Sequence, residues 1–401
     1  MWRTAKLGDV CTIVNGGTPK SNVKNYWDGD IKWLTPKDMG KLQDKYVRNT
    51  ERQITAGGLA NSSAKLVPEN SIILSCRAPI GHVFINDCEM SFNQGCKALI
   101  PSKDLLVDYL YYFLFASKKL LNDLGTGTTF KEISGKTLSN VTIPLPPLAE
   151  QQRIVAKLDA AFAEIDRAIE AERHSAVLNE KLFSNTLEQL FDEIRLQTGS
   201  VELGRVSAKI QDGAHHSPKN VFDEKSDNKF PYVTSKNIRT NYMKLDTIKY
   251  VDADFHQSIY PRCDAKFGDV LLTKDGASTG NICLNELNEP ASLLSSVCLI
   301  RGTENQILNE YICFYLQSPT GFQAVTGSMT GAAIKRIILK TIKKTPVPLP
   351  SIEEQKKLCK TAEELLKITG YLSKIYASKI RNYEALKSAI LAQELQPSEA
   401  A

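Results

Sequence analysis

The stretch IPLPPLAEQQRI at residues 143–154 returns later in the chain as VPLPSIEEQKKL at residues 347–358. Pro144 falls on Pro348, Glu150 on Glu354 and Gln151 on Gln355, and an internal repeat of this kind decides the architecture before local propensities are weighed. Upstream the match continues with small insertions. Leu7-Gly8 answers Leu203-Gly204, Gly17 answers Gly213, and Trp33-Leu34-Thr35-Pro36-Lys37 answers Tyr232-Val233-Thr234-Ser235-Lys236. Ile72-Ile73-Leu74 answers Val270-Leu271-Leu272, residues 106–110 answer 308–312, and Phe130-Lys131 answers Ile334-Lys335. The chain is a tandem duplication.

Each copy follows one plan. Short β-branched runs punctuated by Gly, Pro, Asn and Asp read as strands and turns, with a helix at residues 105–121. The Pro-Leu-Pro element closes the copy as a stiff, extended hinge, since proline cannot sit inside a helix. A long helical pattern without proline follows each hinge. In the first, at residues 149–196, the expected seam is Ile154, Leu158, Ala161, Ile165, Ala168 and Leu182. In the second, at residues 352–395, it is Leu358, Ala362, Leu365, Thr369, Leu372, Tyr376, Tyr383, Leu386 and Ile390. Apolar residues three and four apart form one stripe that must be buried, and helices of about 65–70 Å bury it most simply on each other, antiparallel. The expected fold is α+β: globular domains at residues 1–146 and 199–350, spacer helices at 147–198 and 351–396, and a tail at 397–401.

Composition sets limits. The 401 residues are 42% hydrophobic and 24% charged, enough for real cores, and the net charge of +5 permits nucleic-acid binding without demanding it. No apolar run follows the N-terminus and none reaches the ~20 residues of a bilayer span, so neither secretion nor a membrane is expected. Nine cysteines scattered without a CxxC pair read as buried thiols of a reduced, cytoplasmic protein.

Taken together, the phrases KLGDV, GGTP, WLTPKDM, RAPIG, SFNQGC, ELGRV, DGAHHSP, YVTSKNI and LLTKDGASTG, with the two Pro-Leu-Pro…Glu-Gln elements, resemble the specificity subunits of type I restriction-modification enzymes over the whole chain. The resemblance implies that each globular domain reads one half of a split site on double-stranded DNA. It also implies that the helices set the spacing and dock two methyltransferase subunits, which a motor nuclease subunit can join.

Base edges require donors and acceptors in fixed places, whereas phosphates require cations. In the first domain the candidates are Thr18, Lys20, Ser21 and Asn22; Thr35, Lys37 and Asp38; Arg77; Asn93 and Gln94; and Thr126, Thr128, Thr129 and Lys131. Asn93 or Gln94 suits adenine and Arg77 suits guanine, while the plainer alternatives are a turn cap for Asn93 and an internal ion pair for Arg77. In the second domain they are His215, His216, Ser217 and Lys219; Thr234, Ser235, Lys236 and Asn237; Lys274, Asp275, Ser278 and Thr279; Thr330; and Lys335 and Arg336. The loops differ between the copies, so two unlike half-sites and a non-palindromic target are expected. Exposed helix charges at Arg153, Lys157, Glu164, Arg167, Glu170, Lys356, Lys357 and Lys360 are candidates for meeting the methyltransferases.

Catalytic residues, cofactors and metals are not expected. The chain lacks an Asn-Pro-Pro-aromatic motif, and Ser134-Gly135-Lys136-Thr137 has Phe130 where a phosphate-binding loop needs its first glycine. His215-His216 has no acidic or thiol partner at metal-ligand spacing. The competing reading is a coiled-coil adaptor whose globular domains bind protein instead of DNA.

Overall fold

The structure, a computed structural model, describes residues 2–42, 44–127, 131–327 and 336–396. It divides into two compact units, Met1–Glu172 with Ser378–Ala401, and Arg173–Ala377. Each unit holds one globular repeat and part of both long helices, Leu148–Thr198 and Ile352–Glu394.

The sheets repeat as the sequence does. In the first unit a five-stranded sheet runs Cys11–Asn15, Cys96–Pro101, Ile72–Ser75, Val83–Asn86, Tyr46–Val47, beside a three-stranded sheet of Arg52–Ile54, Trp27–Leu34 and Ser91–Phe92. In the second unit a four-stranded sheet runs Ser207–Asp212, Val297–Gly302, Val270–Thr273, Ile282–Leu284, beside Lys249–Asp252, Lys229–Val233 and Ser292–Leu293. The apolar runs Ile72–Ser75 and Val270–Thr273 are buried along their whole length because they pair on both sides and are covered on both faces.

The Pro-Leu-Pro elements begin at the ends of strands. Thr142–Leu145 pairs antiparallel with Arg3–Lys6, and Pro346–Pro348 with Ser200–Glu202. A two-stranded ladder tolerates prolines that cannot donate to it. The Tyr109 hydroxyl donates to the Pro144 carbonyl and the Tyr311 hydroxyl to that of Pro348, both at 3.1 Å.

The repeated glutamine has a matching physical cause in each copy. Gln151 is fully buried; its Nε2 donates to the carbonyls of Asp104 and Pro146 at 2.9 Å, and its Oε1 accepts from Leu106 N at 2.8 Å. Gln355 repeats this with the carbonyls of Gln306 and Pro350 and the Leu308 amide at 2.9–3.0 Å. One side chain thus satisfies three backbone groups where strand, loop and helix meet.

Within each unit the helices run antiparallel. In the first unit Lys157 reaches Glu394 at 2.7 Å and Lys379 reaches Glu172 at 3.0 Å, while Ile154 and Leu158 share a core with Leu391 and Leu395. In the second, Leu187 and Phe191 pack with Leu358, Cys359 and Ala362, and Phe191 meets Tyr311 and Tyr315 edge-on at 5.2 Å. Asn179 lies buried in this seam, its Nδ2 donating to the Thr369 carbonyl at 2.8 Å and Ser373 Oγ at 3.0 Å. Two expected seam residues are corrected: Leu182 is 50% exposed and Leu386 46%. The seam runs instead through Ile169, Asn179, Leu187 and Phe191, with Phe183 half-buried, so Leu182 falls one residue off the three-four spacing. Burial pushes the thiols of Cys76, Cys263 and Cys313 up to about 12, as expected of small apolar core residues.

Candidate nucleic-acid interface

In the first unit five loops are knit into one rim by backbone hydrogen bonds. Gly16 N donates to Cys96 O at 3.2 Å, Gly17 N to Phe92 O at 3.0 Å, and Asn93 N to Leu34 O at 2.9 Å. Cys76 N and Arg77 N both reach Gly95 O, and Ile133 N reaches Cys76 O at 3.0 Å. The Trp33 indole donates to Gly17 O at 2.9 Å.

The second unit repeats the frame. Gly213 N donates to Val297 O, Ala214 N to Leu293 O, Leu294 N to Val233 O, Lys274 N to Ser296 O and Ile337 N to Lys274 O, all at 2.7–3.3 Å. Cys96 lies opposite Ser75 and Val297 opposite Thr273, so Gly213 corresponds to Gly16. The sequence match of Gly17 with Gly213 is therefore one residue out of register. A Cβ on Gly16 would lie 2.0 Å from Asn93 O and one on Gly213 1.9 Å from Leu293 O, so both positions exclude a side chain. In the same register Asn15 corresponds to Asp212, Cys76 to Lys274, Arg77 to Asp275 and Glu132 to Arg336.

Several candidates are engaged in building the rim. Thr35 and Asp38 form a capping box, with Thr35 N and Oγ1 donating to Asp38 Oδ2 at 2.9 and 2.8 Å. Thr234 makes the same pair of bonds to Asn237 Oδ1 at 3.0 and 3.1 Å. Asn93 Oδ1 accepts from Gly95 N at 2.9 Å, and Arg77 pairs with Glu132 at 2.9 Å. Arg336 pairs with Asp275 at 2.7 Å, so the same latch stands in both units with its charges exchanged. Ser278 Oγ donates to Ser235 O at 3.4 Å and Thr279 Oγ1 to Gly276 O at 2.6 Å.

Three expectations are corrected, the first being Asp38, which is 6% exposed and held in its capping box. Asn237 is 2% and Lys274 5% exposed, so neither side chain presents itself to a duplex. Asn237 is consumed by its turn, and Lys274 lies 3.6 Å from buried Asp212 and 3.4 Å from Asp275, because a buried ammonium requires a counter-charge. The candidate loop residues that face solvent are Thr18, Lys20, Ser21, Asn22, Lys37, Arg77, Gln94, Thr126 and Lys131 in the first unit. In the second they are His215, His216, Ser217, Lys219, Lys236 and Arg336. Thr18 hydrogen-bonds Gln94, and Lys37 pairs with Glu51 at 3.3 Å. Thr128, Thr129, Thr330 and Lys335 lie outside the described residues.

Asp212 escaped the sequence reading altogether. It gathers two cations, Lys274 and Arg262 at 3.7 Å, and His215 Nε2 lies 3.3 Å away. Arg262 also donates to Gly213 O at 2.6 Å, which ties its segment to the rim. His215 thus does have an acidic neighbour, but one already shared between two fixed cations. Among the described residues no group of three or more His, Cys, Asp or Glu is placed to hold a metal. Arg52 was also missed, its guanidinium 3.5 Å from the Trp27 ring centroid. Apart from Asp212 and His215, three residues apart, only the fold brings these partners together. Among the helix charges, Arg153 and Lys157 reach Glu394, Arg167 pairs with Glu164, and Lys356 with Glu353 at 2.9 Å. Among the described residues no helix is long and apolar enough to cross a membrane.

Known proteins share these features. The sequence profile of the type I restriction modification DNA specificity domain matches residues 1–173 and again 201–377. The MjaIX specificity subunit of a type I restriction enzyme from Methanocaldococcus jannaschii is 32% identical over 258 residues, 59% of this chain and 58% of that one. The EcoR124I/EcoR124II specificity subunit of Escherichia coli is 36% identical over 165 residues, 39% of this chain and 40% of its own length. Those two matches thus span about half the length of each relative, whereas the EcoKI specificity subunit of E. coli K12 aligns over 98% of this chain and 88% of itself at 24% identity. A chain in a structure describing assembly and conformational transition of the type I R-M system superposes with a TM-score of 0.77, at 19% identity and 98% and 97% coverage. The HsdS subunit of Thermoanaerobacter tengcongensis gives 0.56 at 18% identity, covering 98% of this chain and 96% of that one.

Proposed function

This chain belongs to the type I restriction-modification DNA specificity family, and from that premise we propose that it is the non-catalytic reader of a bipartite DNA site. Each rim reads one half-site. The observation that carries this reading is one backbone frame present twice with different side chains. Gly16 and Gly213 hold their loops in the same place, yet Thr18, Lys20 and Asn22 follow one and His215, His216, Ser217 and Lys219 the other. A fixed frame with variable polar tips is what reading two unlike base sequences requires. Lys20, Lys37, Lys131, Lys219 and Lys236 supply phosphate contacts, and Gln94, His215, His216 and Ser217 are the candidates for base edges. Arg77, Asn93, Thr35, Thr234 and Arg336 hold the loops.

Two methyltransferase subunits dock on the helical part, whose length sets the half-site spacing, and methyl transfer belongs to them. Mapping methylated adenines in the host genome with and without this gene tests the reading. A split motif with unlike halves, lost on deletion, is expected. A single palindromic motif, or an unchanged map, overturns it.

A further inference from the structure

The first unit fills a pocket with its own lysine. Lys45 Nζ lies 2.5 Å from Asp108 and 3.0 Å from Asp159, and stands over the rings of Tyr112 at 4.9 Å, Tyr111 at 5.5 Å and Tyr46 at 5.6 Å. Burial works against the ammonium, but hydrogen bonds to Asp108 and Asp159 outweigh it and raise the pKa above the ordinary lysine value. This is a carboxylate–aromatic cage with its cation in place.

The second unit keeps the two carboxylates and part of the aromatic wall, with Cys313 where Tyr111 stands, and without the cation. By the repeat, Glu310 stands where Asp108 does, Glu363 where Asp159 does, Phe314 where Tyr112 does and Leu366 where Phe162 does. The surrounding strands keep register. Asn70 and Gly268 both have positive φ and donate to the carbonyls of Asn86 and Asn285. Eleven residues separate Thr35 from Val47, but only eight separate Thr234 from Met243, and the longer loop is the one that delivers Lys45. At the equivalent place a cavity of about 310 Å³ opens, lined by Glu310, Glu363, Glu286, Phe314, Leu366 and Phe267, the last 64% exposed. No ion pair joins Glu310 or Glu363 to a cation among the described residues.

We infer that this cavity is a socket for a lysine side chain of a partner polypeptide. The occupant's chemistry is that of Lys45: an ammonium between two carboxylates, with its methylene stem against aromatic and aliphatic walls. The protein source of that lysine rests on the multisubunit assembly proposed above; the socket itself does not.

Two measurements test it. Nα-acetyl-lysine methylamide, titrated into the full chain with methyl-labelled leucines, is expected to shift Leu284 and Leu366 saturably. Binding should weaken about tenfold or more in the E310Q/E363Q variant, because charge-assisted contacts are lost, and the uncharged norleucine analogue should not bind. Lys45→Met should open a second site of the same selectivity in the first unit. No saturable binding in the second unit, or equal binding of the norleucine analogue, overturns the socket.

The second measurement applies zero-length carbodiimide coupling to the chain co-purified with methyltransferase subunits. It is expected to link Glu310 or Glu363 to a lysine of another polypeptide, with Lys45 linked to Asp108 or Asp159 as the internal control. A control link without a Glu310 or Glu363 link overturns the protein occupant. So does failure of the subunits to co-purify, a result that also strikes the assembly while leaving the lysine-analogue result standing. A genome methylation pattern that survives E310Q/E363Q separates the recognition reading from the socket.

Discussion

Beneath its rim each unit buries a lysine ammonium, and the two units neutralise it differently. Lys97 in the first unit is 5% exposed and donates to the neutral amide of Asn15 at 3.0 Å. Lys274 in the second is equally buried but lies between the carboxylates of Asp212 and Asp275, the former drawing in Arg262 and His215 as well. The backbone bonds that knit the rim are nonetheless the same in both. A frame held by main-chain hydrogen bonds leaves the electrostatics under it free to diverge. The second rim is clamped by a charge hub, and the first is not.

The largest expected effect comes from breaking that hub. Asp212→Ala leaves Lys274 buried beside Asp275 alone, and removing one partner of a buried pair costs about 3–5 kcal/mol. Urea denaturation with hydrogen exchange should locate the loss in the second unit, and discrimination at one half-site only should relax. Asn15→Ala in the first unit removes a neutral acceptor and should cost less. Next come the glutamines. Gln151→Ala and Gln355→Ala each strand three backbone groups, for about 2–4 kcal/mol, and the two losses should match because the two networks do. Unequal losses measured by denaturation would show that the junctions have diverged.

Smaller effects sharpen the comparison. Lys45→Met should cost about 1 kcal/mol, a figure discounted for the partial exposure of Asp108 and Asp159. pH acts on both units, since burial and then Lys118 lower the His82 imidazole in the first unit as well. Burial holds the His256 imidazole below its ordinary 6.5, stacked on Phe230 at 3.8 Å and bonded to Ser292 Oγ at 3.0 Å. Below pH 6.5 the unfolded chain takes up a proton that the folded one resists, so the stability of the second unit should fall as pH drops through that range. His256→Phe should flatten that slope in thermal melts at stepped pH. Smallest of all, Lys20→Ala or Lys219→Ala should lower the salt dependence of DNA affinity by about one unit of log–log slope, with little change in sequence preference.

The duplication, the two domains and the helical pair were legible because Pro144, Gln151, Pro348 and Gln355 carry repeated structural duties. The seam was legible in part. Leu182 and Leu386 have the right chemistry at the wrong angular position, which apolar character alone does not reveal. Asn237 and Lys274 misled because a polar side chain in a loop reads as exposed, whereas here each is enclosed by the loop it holds together. Gly17 misled by one residue because Gly16 is also a glycine, and only the ladder opposite Ser75 distinguishes them. The Lys45 cage was invisible because a three-residue difference in loop length looks like neutral drift.

Asn179 has a further consequence. Sliding the two helices past each other by one turn would keep most leucines and isoleucines against apolar neighbours, so oil-like contact alone sets their axial position weakly. The buried amide finds the Thr369 carbonyl and Ser373 Oγ at only one setting. Any other leaves its Nδ2 without these two acceptors. The pair therefore behaves like a vernier with a single engraved mark: some stability is given up at Asn179, and one reproducible alignment of the helices is kept in return.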